Sequence, residues 1–378
     1  MLSEGKIGPA EAVCTASILL CLNALVSASI AADYGLQAAW MVLLLVGGLS
    51  GIGVVILMRL MEHYPDQSII EVSQEVLGPV PGFMIGMIFF FFFLLAAVLF
   101  LRVEADRIVT VYLPDTPTSV LVLFMLITGV VCAFIGLESL SRTLHILSIP
   151  LIASIILPLI LAYNFWDWNN LFPLWGSGLS GILKGGFLLS GMFADILILA
   201  LIYPSIRVNK TAQIWSKALI LGVSTNVATT IGVLLVFPIP NINENLFPVV
   251  QTARLVFLSR FVQRVDAFFA FFWMIAIMLK FNVLFYASCI SLTRLLKLPY
   301  YKPLIYPLSV IVFALAFIPK DIIQVTEWIA LGAWRWNGLI AYGLPALLLL
   351  IHHLKPKPRS IKGERRPTDG KPIPDPLA

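Results

Sequence analysis

Charged residues are scarce in this sequence. Asp, Glu, Lys and Arg together form 12% of its 378 residues, whereas an ordinary soluble domain is about one-quarter charged. The four cysteines fall inside apolar runs and show neither metal-ligand nor disulfide spacing. A Gly-rich phosphate loop and a His and Glu cluster on one helix are also missing. The sequence therefore predicts neither an enzyme nor a nucleic-acid-binding protein, and it predicts no metal and no cofactor.

Long apolar runs dominate the chain instead. Hydrophobic residues make up 60% of it, and its mean hydropathy is +0.96. Unpaired backbone groups are not tolerated in hydrocarbon, so repeated apolar runs of about 20 residues must be helical. We therefore expect an all-α membrane protein with about ten transmembrane helices. The expected spans are residues 9–30, 37–60, 81–103, 119–137, 144–163, 183–205, 212–237, 264–292, 303–319 and 326–352.

Lys and Arg in the short loops predict the orientation of the chain. When the N-terminus is placed in the cytoplasm, most of these cations fall on the cytoplasmic side. An even number of spans then places both termini in the cytoplasm. Residues 1–354 are expected to form a single bundle. The basic, Pro-rich tail 355–378 is expected to be disordered, and either to lie near anionic membrane lipid or to be merely solvated.

Ten spans divide into two groups of five, at residues 9–163 and 183–352. Two such groups are typical of the five-plus-five inverted-repeat (LeuT-like) transporter fold, whose first and sixth helices are interrupted near the midplane and bind substrate there. The first helix lacks the Gly pair that usually permits unwinding, whereas the sixth carries small residues before a carboxylate. Small residues are also common packing devices at helix contacts. In these two helices, the predicted ligand-binding residues are Asn23, Ala24, Ser27, Ser190, Gly191 and Asp195.

Lys280 completes the predicted ligand-binding set. An ionisable group at membrane depth costs at least about 2.5 kcal/mol on insertion scales, so it usually faces the bundle interior and has a partner. The helical rise places Lys280 and Asp195 within roughly 3 Å of each other in depth, so we expect them to pair. The pair either belongs to a ligand site or only fixes the register of two helices.

Two further groups of charges have helical spacing. Glu104 and Arg107 are three residues apart at the outer end of the third helix, and Glu138 and Arg142 are four residues apart after the fourth. Opposite charges at these spacings lie on one helical face and attract each other. We therefore predict a structural ion pair at each place.

Several short motifs follow one another along nearly the whole chain. They are Glu-Gly-Lys-Ile at 4–7, Leu-Pro-Asp-Thr-Pro at 113–117, Gly-Leu-Glu-Ser-Leu-Ser-Arg at 136–142, Phe-Pro at 247–248 and Arg-Val-Asp at 264–266. In this order and spacing the sequence resembles the B subunits of spore germination receptors, which are transporter-like members of the amino acid/polyamine/organocation superfamily. The resemblance implies a receptor that binds a small-molecule germinant, an amino acid, and acts with A and C subunits in the spore inner membrane.

The resemblance also bears on single residues and on the alternatives. Where a related transporter would hold sodium, Lys280 is predicted to supply a fixed cation, with Asp195 as its counter-ion or proton acceptor. A third-helix residue often lines the ligand path in this superfamily, which gives Glu104 a second interpretation as part of an outer vestibule. An amino acid secondary transporter is one alternative function. A structural receptor subunit without a ligand is another, favoured by the first helix that lacks the family's Gly-rich motif.

Overall fold

Nearly all the regular structure is helical. The computed structural model describes four stretches of the chain, residues 5–207, 211–244, 247–256 and 265–354. Within these stretches the isolated β-bridge joins Ile7 to Ile206. Glu4, Arg264 and the tail 355–378, which the sequence analysis used, lie outside the described residues.

The helices follow one another closely along the described chain. The α-helices are α1 Pro9–Cys21, α2 Ala24–Gly35, α3 Ala39–Glu62, α4 Ile69–Leu77, α5 Pro79–Tyr112, α6 Thr118–Ile135, α7 Leu137–Leu161, α8 Gly178–Leu188, α9 Ile198–Leu201, α10 Thr211–Val236, α11 Ile239–Glu244, α12 Pro248–Leu255, α13 Val265–Leu295, α14 Lys302–Ala316, α15 Ile322–Glu327, α16 Trp334–Gly338 and α17 Leu344–Leu354. The 3-10 helices are Leu36–Ala38, Tyr163–Phe165, Trp168–Leu171, Ser190–Leu197 and Tyr203–Ser205. Two π-helical segments, Trp328–Ala333 and Leu339–Gly343, lie between α15 and α17.

The number of membrane crossings agrees with the sequence. Eight helical stretches of the described residues are long and apolar enough to cross a membrane. One of them, Ala24–Glu62, bends at a 3-10 turn and comprises α2 and α3. Because α1 leads directly into α2, these two form the first crossing, and the shorter apolar helix α14 adds another. The described residues thus contain ten crossings, which confirms an integral, multi-pass membrane protein.

Proline and glycine set several helix boundaries. Pro9, Pro79 and Pro248 stand in the first turn of their helices, where proline has no hydrogen bond to lose. Gly78 and Gly136 have φ values of 90° and 100°. Each joins two helices with no further residue between them, α4 to α5 and α6 to α7. A side chain at either glycine would be strained, so these sharp turns require the residue that the sequence supplies.

Three short helices outside the membrane crossings were missed by the sequence analysis. The first is α4, whose N-terminus is closed by a reciprocal capping box between Ser68 and Glu71. It packs on α5, and the Ser73 hydroxyl donates a hydrogen bond of 3.0 Å to the Gly82 carbonyl there. The other two, α11 and α12, lie between α10 and α13.

Helix α13 occupies the middle of the bundle. It packs against α5, α6 and α7, while α1 packs against α7 and α10. Large apolar side chains also cover the outside, and Ile146 and Ile149 are 75% and 80% exposed. Such apolar outer surface suits contact with lipid. Packing brings α1, α5, α13 and the interrupted sixth crossing, α8 to α9, around one interior space.

Candidate functional site

The first crossing is interrupted between α1 and α2, although it contains no glycine there. Leu22 and Asn23 keep right-handed helical angles. The backbone N–H of Asn23, however, donates to the Leu20 carbonyl, at 3.2 Å, and not to the Leu19 carbonyl as in a regular α-helix. This local change to three-residue spacing releases the Leu19 carbonyl. A freed carbonyl at membrane depth needs another donor.

Lys280 of α13 supplies that donor. Its ammonium nitrogen Nζ lies 2.7 Å from the Leu19 carbonyl, 2.9 Å from Asn23 Oδ1 and 2.7 Å from Asp195 Oδ2. An ammonium group has three N–H donors, so these three acceptors use all of them. The Lys280 side chain is 3% exposed, and its charge is neutralised by the Asp195 carboxylate. We name these three residues, Lys280, Asn23 and Asp195, the lysine network.

The sixth crossing is also interrupted, and the lysine network joins it to the first. Between α8 and α9 the chain forms the 3-10 helix Ser190–Leu197, in which Phe193 departs from helical angles. The Asn23 side-chain NH₂ group donates a 2.7 Å hydrogen bond to the Met192 carbonyl in this segment. Asn23 and Lys280 therefore satisfy backbone and side-chain acceptors from both interrupted crossings at once.

A central cavity lies beside the lysine network. Its volume is about 80 Å³, enough for several water molecules or one small ligand. Most of its wall is apolar. Its polar and charged lining residues are Asn23, Glu104, Arg107, Asp195, Lys280, Thr326 and Asn337.

Glu104 and Arg107 of α5 form the second charged group of the cavity wall. An Arg107 Nη1 hydrogen bond joins the guanidinium to Glu104 Oε1. The two residues are only 2% and 5% exposed. Among the described residues, Glu104 Oε2 and Arg107 Nε have no hydrogen-bond partner. The guanidinium also lies over the Phe247 ring, with its carbon 5.7 Å from the ring centre.

The predicted ligand-binding residues separate into two groups. Asn23, Asp195 and Lys280 line the cavity, as described above. The remaining four lie outside its lining and pack between helices. The Ser27 hydroxyl lies 3.4 Å from the Ala24 carbonyl and 3.5 Å from Thr230. Ser190 and Gly191 face the α16 backbone, where a side chain on Gly191 would meet the Gly338 nitrogen. A ligand-binding role of these residues stays a prediction.

The second pair, Glu138 and Arg142, lies away from the cavity. The two side chains are joined by a 2.5 Å contact and are 39% and 62% exposed. Glu11 lies 3.8 Å from the same guanidinium. Exposed pairs of this kind contribute little to stability.

Three polar residues of this region were not among the predicted site residues. Asn226 donates hydrogen bonds to the Leu20 carbonyl, at 3.0 Å, and to the Gly222 carbonyl, at 2.8 Å, so it stabilises the interruption of the first crossing. Its position within an apolar helix was a signal of an interhelical hydrogen bond. Asn337 and Thr326 also line the cavity. Because both come from the irregular tenth crossing, periodicity gave no indication of the face they occupy.

The described stretches contain no group of three or more His, Cys, Asp or Glu side chains that could hold a metal ion. The cavity wall that holds the carboxylates also holds two positively charged side chains of the protein, Arg107 and Lys280. The site therefore offers binding through hydrogen bonds, charge and apolar contact.

The helices of this chain adopt the inverted-repeat fold that is found in transporters. The chain is similar to the solved structure of Mhp1, a nucleobase-cation-symport-1 family transporter, in a closed conformation with bromovinylhydantoin bound. The TM-score is 0.63 at 12% identity, covering 92% of this chain and 78% of that one. This likeness shows the fold, which confirms the predicted architecture.

Sequence comparison gives the family. The profile of the family described as "Spore germination protein" matches residues 12–325, so the chain belongs to that family. Spore germination protein YndE of Bacillus subtilis (strain 168) is 24% identical over 321 residues, covering 82% of this chain and 86% of that protein. Spore germination protein KB of the same organism is 24% identical over 254 residues, covering 65% and 67% respectively. The family resemblance stated from short motifs is confirmed.

Proposed function

We propose that this protein is the transporter-like subunit of a spore germinant receptor, and that it binds a small nutrient molecule, an amino acid, in the central cavity. The observation that carries this proposal is the position of the cavity. It lies where both interrupted crossings meet α5 and α13, and it is lined by charged side chains of α5, α13 and the sixth crossing together with the polar Asn23 of the first. A ligand there would contact elements that can move relative to one another, and so could change helix packing.

The proposal includes the setting in which the subunit works. Membership of the spore germination family supports a place in the spore inner membrane beside A and C subunits. The cationic loops support cytoplasmic termini. In this setting the ligand signal passes to partner subunits through the outer faces of the bundle.

Lys280 is proposed to act as a built-in cation. In transporters of this fold, freed carbonyls of interrupted helices coordinate sodium. Here the Lys280 ammonium lies among the Leu19 carbonyl, the Asn23 side-chain oxygen and the Asp195 carboxylate. A covalently attached cation at this place makes a bound sodium ion unnecessary.

A binding experiment with a blocked cavity tests the proposal. The protein, reconstituted in membranes with and without A and C subunits, is tested by thermal shift against amino acids, nucleosides and sugars. Val26 lines the central cavity, and Val26→Phe would fill it. We expect at least one amino acid to stabilise the wild type and not this variant. If no compound stabilises either form while the complex still assembles, the ligand-binding proposal is wrong and a structural subunit is favoured.

Secondary transport is a second candidate function, favoured by the likeness to a transporter fold. Uptake of a radiolabelled amino acid that binds, measured in proteoliposomes, separates the two functions. Binding without uptake supports the receptor, and uptake above that of empty vesicles supports the transporter.

A further inference from the structure

Arg335 is a charged residue on the outside of the tenth crossing. Trp334 before it and Asn337 after it line the central cavity, and the Trp334 carbonyl lies against Gly191 in the sixth crossing. Arg335 itself is exposed and is not part of the cavity lining. Its side chain therefore leaves the bundle at the depth of the central cavity.

The position of Arg335 along its crossing also places it deep in the membrane. The crossing extends from Ile322 to Leu354, and the helical rise puts Arg335 roughly 20 Å from its outer end and 30 Å from its inner end. The other exposed Lys and Arg side chains of the described stretches lie in loops or within about two turns of a helix end, as Arg59 and Lys184 do. Those cations are close to the water and the headgroups, whereas Arg335 is far from both.

The described residues provide no counter-ion for Arg335. Within them its guanidinium makes no hydrogen bond, ion pair or ring contact. A charge at membrane depth is costly, and such a residue usually faces the bundle interior or pairs with an opposite charge. Since Arg335 faces outward, its counter-ion has to come from a neighbouring molecule.

The residues around Arg335 form a surface that suits a second helix. Leu339, one turn later, is 60% exposed, and Trp328, two turns earlier, is 42% exposed. Between them a side chain on Gly332 would meet nothing within 4 Å, so another helix can approach the backbone closely there. We name Trp328, Gly332, Arg335 and Leu339 the outer face of the tenth crossing.

From these observations we propose that the outer face of the tenth crossing binds a transmembrane helix of another protein, and that this helix carries an aspartate or glutamate at the depth of Arg335. A carboxylate there accepts two parallel hydrogen bonds from the guanidinium and neutralises its charge in a medium of low dielectric constant. Trp328 and Leu339 supply apolar contacts on either side of the ion pair.

A second copy of this chain does not fit the same face. Two-fold packing would bring two Arg335 side chains together, and like charges repel. The exposed carboxylates of the described residues lie in loops or near helix ends, as Asp115, Asp321 and Glu327 do, and not at the depth of Arg335. The occupant is therefore a different protein. The inference rests on the proposed function in one respect, since it takes this protein to be an A or C subunit.

Photo-crosslinking tests where the partner lies. The full chain is produced in membranes together with A and C subunits, with p-benzoylphenylalanine in place of Leu339. After irradiation, crosslinked segments are identified by mass spectrometry. We expect position 339 to crosslink to a transmembrane segment of one of these subunits, and we expect that segment to contain Asp or Glu.

Charge variants test the role of Arg335 in the same assay. Arg335→Leu makes the crossing more apolar, so it does not oppose membrane insertion. We expect it to lower the crosslink yield about tenfold or more, because the carboxylate of the partner is left unpaired. Arg335→Lys keeps the charge and should retain most of the yield. The matched control, Lys184→Leu, removes an exposed cation near a helix end and should leave the yield unchanged.

The thermal unfolding midpoint shows whether each variant is folded. If Arg335→Leu is not, the carboxylate in the crosslinked segment is changed to its amide instead, with the same expected loss. Wild-type yield in the folded variant would overturn the proposed ion pair.

The outcomes separate this inference from the proposed function. If the A and C subunits co-purify with the wild type but position 339 crosslinks only to lipid or to a second copy, the receptor setting stands and the inferred docking face is wrong. If neither subunit co-purifies and position 339 crosslinks only to lipid, both fall together.

Discussion

At the scale of single residues, Lys280 is a buried charge whose stability depends on its ion-pair partner. It is 2% exposed, and removing one partner of a buried ion pair typically costs about 3–5 kcal/mol because the other charge is left uncompensated. Lys280→Met would leave the Asp195 carboxylate and the Leu19 carbonyl without their cation. We therefore expect a loss of that size in the free energy of unfolding, measured by denaturant unfolding of the reconstituted protein.

The control for this prediction is an exposed lysine of the sixth crossing. Lys184 is exposed, so Lys184→Met should change stability by no more than about 0.5 kcal/mol. The double variant Lys280→Met with Asp195→Asn removes both charges and should lose less than the sum of the two single variants. Additive losses would contradict a coupled pair.

Single residues also show how far a sequence determines a site. Asp195 and Lys280 were identified because ionisable groups in apolar helices need partners, and Asn23 because it lies in the first helix of the repeat fold. Glu104 and Arg107 were predicted to pair from their spacing alone, and the contact between them is present. Their place in the cavity wall depends on where α5 meets other crossings. That contact cannot be predicted from the periodicity of one helix.

At the scale of elements, the contact between the sixth and tenth crossings depends on Gly191. A side chain at this position would come within 2.8 Å of Asn337 and 2.5 Å of the Gly338 backbone nitrogen. Because backbone cannot move aside as a flexible side chain can, Gly191→Ala should force the two crossings apart. We expect a loss of about 1–3 kcal/mol in stability, measured by denaturant unfolding, together with weaker binding of the ligand.

Gly48 provides the comparison within α3. A side chain there would meet nothing within 4 Å. Alanine is also a better helix former than glycine, by roughly 1 kcal/mol. Gly48→Ala should therefore leave stability unchanged or slightly raised, and an equal loss in both variants would show that the Gly191 contact is not special.

The interrupted first crossing shows why an element can differ from its local sequence. No glycine weakens the helix at Leu22 and Asn23, so only partial support for an interruption could be drawn from the residues there. The freed Leu19 carbonyl is bonded by Lys280, 261 residues away, and the neighbouring Leu20 carbonyl accepts a second hydrogen bond from Asn226, 206 residues away. Because these partners belong to other crossings, the interruption is a tertiary effect that helix propensity cannot reveal.

At the scale of the whole molecule, hydropathy was sufficient to predict the membrane crossings. Long apolar runs gave ten spans, and their division into two fives indicated the repeat fold, although the exact repeat boundaries stay a prediction. The short helices α4, α11 and α12 have no long apolar run, so the same scan could not find them. Helices this short gain most of their stability by packing on the bundle, as α4 does on α5.

We expect ion dependence to separate this molecule from a sodium-coupled transporter. A bound sodium ion would link ligand affinity to sodium concentration, because anything that binds one state preferentially shifts the equilibrium. With Lys280 already among the oxygen atoms of Leu19, Asn23 and Asp195, no such linkage is expected. Replacing sodium with choline at constant ionic strength should change the dissociation constant of the amino acid by less than about twofold.

The same reasoning predicts that sodium dependence can be created. Lys280→Ala removes the ammonium and leaves the carbonyl, amide and carboxylate oxygens around the space it filled. These are the ligand types that sodium takes at interrupted helices. Sodium, and not choline, should then raise the thermal unfolding midpoint of Lys280→Ala while leaving that of the wild type unchanged. If the wild type itself responds to sodium, the ion is held elsewhere and the fixed-cation role is wrong. If neither responds, the oxygens collapse onto one another without the lysine, and Lys280 holds the two interrupted crossings together without standing in for sodium.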